Sequence, residues 1–186
     1  MRGTVLCAQG APGVPERLSD STFWRMISTM SEPDGYFRSE NLVGNESSYM
    51  WVIPELQRTL GTGGAYMGVA PDQNFTYMIA LKPKVAFIVD IRRGAMLHHL
   101  LLKALIELAP TRADFLSLLL SRARPAGLDT TTTIDSMFRA FGTVRHDSAL
   151  KAQTFAKVKD RLTKAHGFGL SEKDVGGMDW VFDAFY

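Results

Sequence analysis

Apolar and polar positions follow two different rhythms along this chain. Beyond residue 93 the apolar side chains recur at steps of three and four, the period of a helix with one buried face. Over residues 94–109, Leu97, Leu100, Leu101, Ala104, Leu105 and Leu108 fall on one side, and His99, Lys103 and Glu107 on the other. Thr111 starts a helix that runs to about Arg122, and residues 124–133 read as a loop. Further helices are predicted near 133–141 and over 148–165, ending at Gly142 and Gly167. Ser171 opens a last one carrying Met178, Trp180, Val181, Phe182 and Phe185. At the other end, Ser19-Asp20 caps a helix bearing Phe23, Trp24, Met26, Ile27 and Met30, stopped by Ser31-Glu32-Pro33-Asp34-Gly35. Asn45 is the expected cap of a helix through Tyr49, Val52, Ile53, Leu56 and Leu60, kinked at Pro54 and ended by Gly61.

Between residues 64 and 91 the rhythm changes. Ala65–Val69 and residues 85–91 are the two convincing strands. The second, Val-Ala-Phe-Ile-Val before Asp90, is continuously apolar, as in a parallel strand covered on both faces. Residues 74–81 form a short helix between them, stopped by Pro83. The order strand, tight loop, helix, strand ending in an acid is how a Rossmann-like nucleotide site begins. Gly68 and Asp90 are 22 positions apart, close to the spacing of about 20 expected for an acid that accepts ribose hydroxyls. The fold class is therefore α/β, Rossmann-like and helix-rich. A doubly wound sheet has more than two strands, and residues 179–186 are rich in aromatics that need a covering surface. Residues 19–186 accordingly read as a single α/β domain, incomplete at the C-terminus and the N-terminal part of a larger fold. Residues 1–18 read as a flexible tail or the remnant of a signal peptide, the apolar core around Leu6 being too short for a whole signal.

Composition narrows the picture. The chain has 186 residues, 46% hydrophobic and 22% charged, with a formal charge of +2. That charge is small and its basic residues are dispersed, which argues against a nucleic-acid partner. No apolar run reaches the length of a transmembrane helix. Cys7 is the single cysteine, which excludes an internal disulfide and a cysteine metal cluster. His98 and His99 are adjacent, so on a helix they point apart, whereas a two-histidine metal site there wants a four-residue step. His146 and His166 have no acidic or histidine neighbour at ligand spacing, so no metal site is assigned. No Gly-x-Ser-x-Gly elbow is present and no catalytic base is identified.

Several segments together resemble a known family. These are Phe23-Trp24, residues 31–42, Asn45-Glu46, residues 68–77 and Phe87-Ile88-Val89-Asp90-Ile91-Arg92-Arg93. They are similar to a largely uncharacterised bacterial family whose members look, in fold, like class I S-adenosylmethionine-dependent methyltransferases and are considerably longer. The resemblance runs from about residue 19 to the end. It implies a methyltransferase-type core that binds S-adenosylmethionine, with Gly68, Val69, Pro71, Asp72, Asn74, Asp90 and Ile91 around the cofactor. It also implies a substrate wall or lid from residues 36–46, including Tyr36, Arg38, Asn41 and Glu46. Two departures stand out. Tyr66 occupies the place where such enzymes usually have an acid, and the loop is Gly68-Val69-Ala70-Pro71, with Ala70 where the family has glycine. Alanine and proline resist the positive φ that brings a backbone close to a ligand.

Two readings result. The first is a methyltransferase-like protein that binds S-adenosylmethionine and holds a methyl acceptor in line. The second is a non-enzymatic, degenerate Rossmann-like interaction domain, favoured by Tyr66, Ala70 and Pro71. A crevice closed by side chains would favour the second, and an open one faced by Asp90 the first. A binder of another nucleotide ranks third, since the loop has one glycine and no lysine. A cytoplasmic location is expected, or export if residues 1–9 are a signal remnant. A homo-oligomer, or a partner covering the C-terminal helix, is also expected.

Overall fold

The computed structural model describes residues 13–38, 42–44, 46–69 and 72–186. Helix α1 (Asp20–Met30) begins at Ser19, whose hydroxyl accepts the Thr22 N–H at 3.2 Å. The expected helix after Asn45 starts later. A single 3₁₀ turn, Tyr49–Val52, leads directly into α2 (Ile53–Leu60). Pro54 therefore sits in the first turn of α2, where its missing N–H costs no hydrogen bond, and kinks nothing. Asn45 lies outside the described residues. Gly61 ends α2 with φ 67°, as expected.

Strand β1 (Ala65–Val69), helix α3 (Gln73–Leu81) and strand β2 (Val85–Val89) form one βαβ unit, with the strands parallel and paired Ala65 to Val85 through Val69 to Val89. The molecule is thus α/β, with a helix-rich body and a small two-stranded parallel sheet. Strand β2 stops two residues short of the expected Ile91 because Asp90 turns the chain (below). The expectation of strands covered on both faces is overturned. Residues paired in a parallel sheet share a face, so Met67, Val69 and Val89 lie together, 73%, 62% and 47% exposed. The opposite face, with Tyr66 and Gly68, meets α3 through Asn74.

The remainder is helical: α4 (Arg93–Leu108), α5 (Arg112–Leu119), α6 (Ile134–Gly142), α7 (Ser148–Asp160) and α8 (Glu172–Asp183). Helix α5 ends before the expected Arg122. Helix α7 continues into a wider π-helical turn, Arg161–Ala165. Helix α4 is central. Leu97, Leu100, Leu101, Ala104 and Leu105 pack against Val158, Leu162, Phe168, Met178, Val181 and Phe182. Met178, Val181 and Phe182 of α8 are thus covered from within the chain, while Trp180 and Tyr186 stay exposed. His99 was expected on the polar face of α4, yet its ring nitrogens are buried. No helix among the described residues is long and apolar enough to cross a membrane.

Candidate functional site at the strand ends

The C-terminal ends of β1 and β2 face the segment that precedes the sheet. Three contacts lay that segment across them. The Gly35 N–H donates to the Ile91 carbonyl at 3.0 Å, the Arg93 N–H to Asp34 Oδ1 at 2.8 Å, and the Gly44 N–H to Asp72 Oδ1 at 2.7 Å. Gly35 must be glycine for this approach, because a Cβ there would lie 2.4 Å from Ile91 Cγ1. The segment is thus held by its glycines and an acid. Tyr36, Arg38 and Glu46, expected to wall a substrate, are exposed, Tyr36 at 87%. Asn41 lies outside the described residues, as do Ala70 and Pro71 of the loop after β1.

The remaining loop residues are tied to one another. Asn74 is 2% exposed. Its Nδ2 donates to the Val69 carbonyl at 2.7 Å, and its Oδ1 accepts the Tyr66 hydroxyl at 2.7 Å. A Cβ at Gly68 would stand 2.0 Å from that same Oδ1. Gly68 is thus required by the chain's own asparagine, which fills the space over the strand. The Tyr66 hydroxyl serves to hold that asparagine.

Asp90 is similarly engaged. Its Oδ1 accepts the Arg92 N–H at 2.8 Å and Arg92 Nε at 3.0 Å, while Oδ2 accepts Nη2 at 3.0 Å. Both side chains are about nine-tenths buried. Burial raises the carboxyl's pKa, but the Arg92 hydrogen bonds and charge outweigh it and hold the group below the usual carboxylate range. The Arg92 guanidinium also lies 5.8 Å from the Phe37 ring, joining the strand end to the covering segment. Ile91 is 60% exposed. Pairing with Arg92, two residues on, is the structural alternative that the sequence offers for Asp90, and it is the contact formed.

Beneath this crevice lie His98 and His99, with rings 5.7 Å apart. Burial is the main cause that lowers the His98 pKa to about 4, and the neighbouring His99 adds to it. Burial also lowers that of His99, against the raising influence of Asp72 and Asp90. His98 Nε2 and both ring nitrogens of His99 are buried without a hydrogen-bond partner. Burial thus disfavours the charged form of both rings.

A second cluster, missed from sequence, stands apart. His166 meets Glu107 Oε2 through Nε2 at 2.7 Å and Asp20 Oδ2 through Nδ1 at 3.1 Å, linking α1 to α4. The acids come from 146 and 59 positions away, so sequence spacing could not show them. They bind opposite sides of the ring and do not converge on one point. Among the described residues no group of three or more metal-ligating side chains is arranged to hold an ion.

A family model described as a domain of unknown function, DUF7790, matches residues 42–166. The chain belongs to that family. The DUF7790 description names no activity or ligand. The matched span holds both strands and α2 through α7, and ends before α8 completes the core. No curated protein and no solved structure matches the chain.

Proposed function

We propose that this protein is a non-enzymatic interaction domain of degenerate Rossmann-like type. The observation that carries the reading is the filled strand end, where Asn74 occupies the space over Gly68 and is held there by Tyr66 and the Val69 carbonyl. A cofactor needs that space for its own approach to the backbone. The Asp90 carboxylate, which would serve ribose, is spent on Arg92. The exposed face at Met67, Val69 and Val89 is an apolar surface of the kind that meets partners.

A second reading, an S-adenosylmethionine-binding methyltransferase-like protein, is favoured by one observation. The segment containing Gly35, Phe37 and Gly44 crosses the ends of both strands, where a lid over a cofactor would lie. In that reading Gly68, Val69, Pro71, Asp72, Asn74, Asp90 and Ile91 surround the cofactor, and a methyl acceptor lies under residues 36–46.

Calorimetric titration of the folded protein with S-adenosylmethionine and S-adenosylhomocysteine separates the two. The interaction-domain reading expects no heat of binding. Selective binding of either compound at about micromolar strength would overturn it and establish the second reading.

A further inference from the structure

The groove between α7 and α8 lies apart from the crevice at the strand ends. It has a volume of about 570 Å³. Ala152, Phe155 and Ala156 of α7 and Val175 of α8 contribute its apolar lining.

Its charges are unevenly placed. At one end Lys151 is shared by Asp179, at 3.5 Å, and Asp183. Its ammonium also lies 5.8 Å from the Tyr186 ring. Two carboxylates around one ammonium leave that end net negative, and Asp183 is 58% exposed. Lys159 lines the groove eight residues further along α7, about 12 Å away at the helical rise. It is exposed and has no ion pair among the described residues. The groove is therefore negative at one end and positive at the other.

Such a surface is complementary to itself. A two-fold axis across the groove brings the positive end of each copy to the negative end of the other, the self-matching arrangement of an isologous contact. A uniformly acidic partner would be repelled at Asp179 and Asp183, and a uniformly basic one at Lys159. Tyr186, which lines the groove beside these acids and is 39% exposed, adds an aromatic of the type that anchors interfaces. We infer that the α7–α8 groove is the contact face of a symmetric homodimer, in which Lys159 of each copy pairs with Asp179 and Asp183 of the other. This inference is independent of the crevice, so the titration above has no bearing on it.

Sedimentation velocity of the full chain, over about a hundredfold range of concentration, tests it. The wild type should pass reversibly between monomer and dimer. Lys159→Asp places like charges together, as does Asp183→Lys, and each should weaken association at least about tenfold at low salt. The double variant restores opposite charges and should return to within about threefold of wild type. Ala156→Trp fills the groove without altering charge and should abolish the dimer. All these positions are exposed, and circular dichroism verifies that the variants fold. A wild type that stays monomeric throughout overturns the inference. So does a dimer indifferent to Lys159→Asp and Ala156→Trp, or a double variant no better than the single ones.

Discussion

The helical part and the sheet part of this molecule are built to different standards. Every fully buried hydrophobic residue among those described lies between Ala95 and Phe182. Among the described residues between Tyr49 and Ile91, the one fully buried residue is polar, Asn74. Parallel sheets are ordinarily covered on both faces, yet this one leaves Met67 and Val69 in solvent. The helical part thus has a core dense enough to hold itself. The sheet part is held by side-chain hydrogen bonds between its helical elements, such as Tyr77 to the Tyr49 carbonyl and Gln57 to the Ala80 carbonyl. The lesson is that the strand–helix–strand unit keeps an open apolar face, while the helices carry the buried core.

The largest test of that contrast is a pair of truncations. Leu101→Ala removes a fully buried side chain from the centre of α4 and should cost about 3–5 kcal/mol in urea unfolding. Met67→Ala, on the open face, should cost less than about 0.5 kcal/mol. Equal losses would erase the distinction, since Met67 would then be covered in solution.

Acid should act through the boundary between the two parts. The His98 pKa falls from 6.5 to about 4 on folding. Between those values the unfolded chain binds a proton that the folded chain refuses. The stability contributed is therefore complete above pH 6.5 and lost as pH falls towards 4, by up to about 3 kcal/mol. His98→Phe should make the pH dependence of the unfolding midpoint shallower over that window. An unchanged slope would show that His98 is not buried neutral beneath the crevice.

A smaller effect sharpens the account of the strand end. Gly68→Ala forces a methyl to within 2.0 Å of the present position of Asn74 Oδ1. Because Asn74 is held by Tyr66 and Val69, the misfit should cost about 1–3 kcal/mol. A cost near zero in thermal unfolding would mean that Asn74 swings away freely and that the space can open to a ligand.

Some features of the candidate site were legible in the residues. The order of strands and the place of Gly68 and Asp90 followed from pattern and spacing, and the resemblance pointed to the preceding segment near the strand ends. What each group does there did not. Gly68 reads as room for a ligand until Asn74 is seen in it. His99 reads as a solvent-facing residue of an amphipathic helix until the sheet's helix lays Phe75 against it, 5.5 Å between ring centroids.

The sequence by itself determined the elements and several of their ends: the helical period of residues 93–108, the caps at Ser19, Thr111 and Ser171, and the stop at Gly61. These depend on neighbours within a turn or two of helix, which contiguous residues encode. The tertiary structure alone decided which groups meet. It joined Asp34 to the Arg93 N–H across 59 positions and Arg93 to Asp174 across 81, and it left one sheet face open. Those contacts arise when the apolar faces of separate elements find each other, and no local pattern carries the identity of the face that will be found.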